Sequence, residues 1–158
     1  MGLISGTAPD LYAWEKWRLG WIDDNQVACI SSKGTSQHTL SPLGAKGGIK
    51  IVNIKLSEST VLAIELRTKT GLDVDTCSQG LLFYIVDMSK LGGKGPITVV
   101  DPRATKVRAC SAQRGGQLSA AAMDFAKGEK DISLLQYGVR VLVTGTDAGR
   151  YKFSVTQS

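Results

Sequence analysis

"GIKIVNIKLSESTVLAIELR", residues 48–67, decides the fold. Two apolar, largely alternating runs, 48–56 and 60–67, flank Ser57-Glu58-Ser59. A period near two reads as strand, and so short a connection makes the pair a tight hairpin. The same pattern extends in both directions. "QVACIS" (26–31), "QHTLS" (37–41) and "ITVVD" (97–101) are further short strands, punctuated by Lys33-Gly34, Gly44, Gly47-Gly48 and the loop "LGGKGP" (91–96). "GLLFYIVDM" (80–88) is almost continuously apolar and predicts a central strand. "GVRVLVTG" (138–145) and "GRYKFSVTQ" (149–157) predict a closing hairpin that turns at residues 146–149. Between them and residue 110, "LSAAAMDFA" fits either a short helix or an irregular crossing.

Ahead of the strands the period changes. In "APDLYAWEKWRLGWIDD" (8–24), Thr7 is a candidate N-cap, Pro9 suits a first turn and Gly20 offers a stop. Leu11, Trp14, Leu19 and the Ala13/Trp17/Trp21 positions recur at helical spacing. A helix running through Gly20 places Trp14, Trp17 and Trp21, which are all the tryptophans of the chain, on one face. The expectation is one mainly β domain: an N-terminal amphipathic helix within residues 1–24, and an antiparallel β-sandwich of about eight strands over 25–158.

Composition narrows the function classes. Apolar residues at 42% and charged residues at 21% of 158 are ordinary for a soluble globular chain. No run approaches the roughly 18–20 apolar residues of a membrane-spanning helix. Met1-Gly2-Leu3-Ile4 lacks the basic and apolar regions of a signal peptide, which fits a cytosolic chain or one cut from a longer precursor. The net charge of +5 is modest and spread out. Its densest basic stretch, Arg103, Lys106, Arg108 and Arg114, carries no interleaved aromatic, which argues against a nucleic-acid site.

Catalytic sets are tested by subtraction. His38 is the single histidine, so neither an HExxH zinc site nor any multi-imidazole site can be assembled. No serine lies in a GxSxG elbow, and "LGGKGP" lacks phosphate-loop spacing and leads into a strand. Asp73 and Asp75 alternate as weak candidate calcium ligands without the remaining positions of an EF-hand. Cys29, Cys77 and Cys110 have no metal-ligand spacing; one bridge plus a buried thiol, or three reduced thiols, both fit.

The tryptophan stretch carries a resemblance. "PDLYAWEKWRLGWIDDNQVAC" (9–29) is similar to a segment of secreted M6-family metalloprotease-domain proteins, the immune-inhibitor-A-like group, in which an aromatic helix follows the zinc-binding part. "GLLFYIVDMSKLGGKGPITVVDPR" (80–103) resembles that family's apolar strand, Gly-rich turn and following strand, and the terminal hairpin fits its ending. Met1-Gly2 resembles the family's methionine turn. The catalytic HExxH helix is absent, so zinc and peptide hydrolysis carry over to no residue of this chain.

The resemblance implies an extracellular, non-catalytic accessory β-sandwich that stabilises or positions a protease domain. Trp14, Trp17 and Trp21, flanked by Lys16 and Arg18, then form an interdomain packing face. The other readings are a free-standing protein whose aromatic face takes a protein or a second copy, or one whose tryptophans form a carbohydrate platform. The resemblance also implies a Cys77–Cys110 bridge, with Cys29 left as a buried thiol.

Overall fold

The computed structural model describes residues 9–103 and 120–158. One short helix, α1 (Ala13–Arg18), precedes nine strands among these residues: β1 (Val27–Ile30), β2 (Gly34–Leu40), β3 (Ile51–Lys55), β4 (Thr60–Arg67), β5 (Gly80–Asp87), β6 (Ile97–Val100), β7 (Asp131–Leu134), β8 (Val139–Asp147) and β9 (Arg150–Gln157). They form a five-stranded sheet in the order β1-β3-β4-β5-β6 and a four-stranded sheet in the order β2-β9-β8-β7. A shared core lies between the sheets. Val52, Ile54, Leu62, Ile64, Leu81 and Phe83 from the first meet Leu40, Ile132, Val141, Val143, Phe153 and Val155 from the second.

The hairpin at 57–59 joins β3 to β4 as expected, with Ile51 opposite Glu65 and Lys55 opposite Val61. The sheet is nevertheless mixed rather than purely antiparallel, because β1 pairs with β3 in parallel. The cause is the path of the chain. After β1 it crosses to the other sheet as β2, then returns through residues 41–50 and enters β3 from the end at which β1 began.

The two sheets differ in their outer faces. β8 alternates cleanly, with Val139, Val141 and Val143 inward and Arg140 and Leu142 outward. That is the mark of a sheet with one wet face. β5 does not alternate, because both its faces are covered. Leu81 and Phe83 enter the inter-sheet core, while Leu82, Tyr84 and Val86 join a second cluster with Ala13, Ile22, Leu43, Ile51, Ala63 and Ala121. The near-continuous apolar run of residues 80–88 thus follows from a third layer, formed by the N-terminal segment and residues 121–122.

The helix is shorter than the spacing predicts. Its N-cap is Tyr12, whose backbone N–H is met by Glu15 Oε2 at 3.2 Å; Thr7 lies outside the described residues. It cannot begin earlier because the carbonyls of Asp10 and Leu11 accept from the Arg67 guanidinium at 3.0 and 3.1 Å. It stops where expected. Gly20 is left-handed at φ 75°, its N–H donates to the Trp17 carbonyl, and the Trp21 N–H donates to the Lys16 carbonyl at 2.8 Å. This is a Schellman stop.

Residues 120–127 form no α-helix, so the irregular alternative holds for the described part of "LSAAAMDFA". Met123 bridges Leu81, and Asp124 caps a single 3-10 turn by accepting from the Ala126 N–H. Arg103 holds this crossing. Its guanidinium donates to Asp101, both Glu129 oxygens, and the carbonyls of Ala120 and Ala122, all at 2.7–3.1 Å.

A pH prediction arises here. Burial works against the Glu129 charge, but Arg103 and the Asp124 N–H hold its carboxyl below the ordinary value of 4.5. A depressed folded-state pKa contributes stability that is complete above the unfolded value and is lost as pH falls through the folded one. The destabilisation caused by Glu129→Gln, read from urea midpoints, is therefore expected to shrink between about pH 5 and about pH 3. A constant difference across that window contradicts the pairing.

Candidate functional site

The four-residue stretch Ile64–Arg67 keeps the alternation of β4, and its two charged side chains fall on a face that the fold covers. Leu62, Ile64 and Leu66 of β4 face the inter-sheet core, so Ala63, Glu65 and Arg67 face the outer side, under the N-terminal segment. Glu65 is completely covered. Its Oε2 accepts from the Ala13 N–H at 2.6 Å and from the Tyr84 hydroxyl at 2.7 Å, and its Oε1 accepts from Arg67 Nε at 2.5 Å. The Tyr84 hydroxyl in turn accepts from the Trp14 N–H at 3.2 Å. Arg67 reaches on to Asp73 at 2.9 Å, and Asp73 also accepts from the Asp10 N–H at 3.0 Å.

Residues 10–14 are thereby fastened to the sheet through their own backbone groups. Burial pushes the Glu65 carboxyl up against the opposing pull of Arg67, and pushes the Tyr84 hydroxyl well above its usual value. Burial disfavours the Arg67 charge, yet Glu65 and Asp73 hold it above the ordinary arginine value. The Tyr12 ring completes the cover, 4.8 Å from the Tyr84 ring and 5.6 Å from the Arg67 guanidinium carbon. Sequence periodicity overlooked this cluster; a Glu and an Arg two residues apart inside an apolar strand were its only signal.

The three tryptophans do not share a face. Trp14 and Trp17 pack against the outer apolar cluster, edge to face at 5.3 Å, and Trp17 Nε1 donates to Asp24 at 2.8 Å. Trp21 lies past the helix stop and is 66% exposed. Lys16 is half-buried and paired with Asp10, whereas Arg18 is exposed. Ala13, not a tryptophan, is the helix residue fully buried on the sheet.

Trp21 and Lys16 do meet at one place. Together with Asn25, Gln26, Lys46 and Lys50 they border a depression of about 620 Å³ between the helix stop and the loop at residues 42–50. This volume falls in the range of small-molecule sites. Lys50 is only 3% exposed, and its ammonium donates to the carbonyls of Pro42 and Ala45 at 2.8 and 2.5 Å. Desolvation, and then the nearby Lys16 charge, lower its pKa.

The remaining candidates separate. His38 sits on β2 beside Phe153, at 5.8 Å, with Nε2 2.7 Å from Ser36 Oγ; burial lowers its pKa. Asp73 is committed to Arg67 while Asp75 is exposed, and no group of three His, Cys, Asp or Glu able to hold a metal ion occurs among the described residues. Cys29 is exposed rather than buried. It lies on an edge strand, and its neighbours Ala28 and Ile30 are the residues packed against the core. Cys110 lies outside the described residues, and so does the expected Cys77–Cys110 pairing.

Comparison with family models, curated proteins and solved structures finds no match.

Proposed function

We propose that this chain is the non-catalytic accessory β-sandwich of a secreted, immune-inhibitor-A-like metalloprotease, and that it stabilises or positions the protease domain. The observation that carries the reading is the fastening of residues 10–14 to β4 by Glu65, Arg67 and Asp73. A segment held through its backbone by buried charges gives whatever is joined ahead of it a fixed point of attachment on the sandwich. Trp14 and Trp17 serve that role as packing groups. Zinc belongs to the catalytic part of such a protein and has no ligand assigned here.

The test is the size of the natural product in cells and medium, by immunoblot with antibody to this domain. A secreted species much larger than 16.8 kDa is expected. An intracellular species of about this size overturns the accessory reading and favours a free-standing binding protein, for which exposed Trp21 is the first surface to probe.

An extracellular setting also favours the Cys77–Cys110 bridge, worth about 3–4 kcal/mol for a loop of about 33 residues. Under native, non-reducing conditions one rapidly reacting thiol, exposed Cys29, is expected. Three thiols titrating after denaturation without reductant would remove the bridge from the account.

A further inference from the structure

We infer that the depression between Trp21 and Lys50 is a binding site for an acidic sugar, a pyranose carrying a carboxylate. The inference deepens the accessory reading by naming what the module would hold.

Two independent observations meet there. The first is an ammonium without a counter-ion. Lys50 is covered, has only neutral carbonyls as hydrogen-bond partners, and no carboxylate among the described residues lies within ion-pair distance of it. Lys16, bordering the same depression, adds repulsion, and its own charge is paired with Asp10. Lys46, exposed on the rim, supplies a third ammonium against the single carboxylate of Asp23. Covered Lys50 acts through its field while exposed Lys46 offers the ammonium a ligand can reach, so the site favours a negative oxygen group beside Lys46.

The second is the presentation of Trp21. The Schellman stop at Gly20 takes this ring off the helix and offers it from a turn, 66% exposed, at the mouth of the depression. A flat, weakly hydrated indole face suits the apolar C–H face of a pyranose ring. Exposed Asn25 lines the same depression and provides an amide that can both donate to and accept from ring hydroxyls, whereas the Gln26 amide is engaged by the Asp23 N–H and the Gly48 carbonyl. Ring face, hydroxyls and carboxylate each have a counterpart.

The experiment follows the Trp21 indole N–H resonance, assigned with Trp21→Phe, as glucuronate, N-acetylneuraminate, glucose or a tetra-aspartate peptide is titrated into the full chain. At least one acidic sugar is expected to shift it saturably, with glucose binding about tenfold or more weakly, a gap of about 1.4 kcal/mol. Lys46→Gln is expected to weaken that sugar several-fold, and Trp21→Ala to abolish its binding, as followed by calorimetry. Both side chains are exposed, so these variants decide the matter even where Lys50→Met fails to fold. Equal binding of glucose, equal or tighter binding of the peptide, or no saturable shift with either acidic sugar each overturns the inference. Failure here leaves the immunoblot result standing, and failure there leaves this binding standing.

Discussion

Arg67→Met is expected to lower the free energy of unfolding by about 3–5 kcal/mol, the usual consequence of stranding buried charge. Arg67 alone faces both Glu65 and Asp73 across 2.5–2.9 Å, and it also satisfies the carbonyls of Asp10 and Leu11. Removing it leaves two covered carboxylates and two orphaned acceptors, at a cost no methionine packing offsets. The double variant Glu65→Leu/Arg67→Met is expected to recover part of the loss, since one of the stranded carboxylates has gone. The variant should also change more than stability. With residues 10–14 loosened, the amide protection of α1 should fall further than that of β4 and β5. A loss below about 1 kcal/mol in urea unfolding, with α1 still protected, would mean that Arg67 is a surface ornament rather than the clasp.

The second large effect is at Gly80. Its φ is 115°, a backbone conformation that residues with a Cβ rarely adopt. A Cβ built there lies 1.9 Å from the Met123 carbonyl oxygen and 2.5 Å from its carbon. The clash is with backbone that is itself held, because Leu81 and Met123 exchange hydrogen bonds at 3.0 and 2.8 Å. Gly80→Ala therefore combines strain with overpacking, at about 3 kcal/mol or more. For a chain of this length that corresponds to a fall in Tm of roughly 10 °C. A change within about 2 °C would show that the Met123 crossing shifts freely, and that Arg103 does not hold it.

Much of this fold is legible in the sequence, for identifiable reasons. Seven strands follow from period-two runs bounded by Gly and turn residues, β5 follows from its continuous apolar run, and the 57–59 hairpin follows from its three-residue connection. β7 escaped because "DISL" is four residues long and lies beside the irregular 120–130 crossing. The parallel β1–β3 pairing escaped because periodicity says nothing about which sheet a strand enters. The helix was overextended because spacing alone cannot show that Arg67 has taken the carbonyls of residues 10 and 11.

The candidate site was legible only in part. The tryptophan cluster marked the right neighbourhood, but helical spacing gave all three rings one fate when Gly20 divides them. Trp14 and Trp17 went to packing, and Trp21 went to solvent. Glu65 and Arg67 looked like ordinary surface charges at the end of a hairpin. Only the three-dimensional covering by residues 9–14 converts them into a buried clasp. Lys50 is likewise indistinguishable from other lysines in the sequence, because only the folded loop at residues 42–50 brings the Pro42 and Ala45 carbonyls to its ammonium.

The entering segment is an integral part of the two-sheet unit, held by Glu65, Arg67 and Asp73. Native-state hydrogen exchange at the Ala13 and Trp14 amides tests it most directly, since these N–H groups donate to Glu65 and Tyr84. Opening free energies equal to those of Leu82 and Tyr84 in β5 are expected, with exchange only through global unfolding. Exchange at the rate of a fraying terminus, while β5 remains protected, would contradict it.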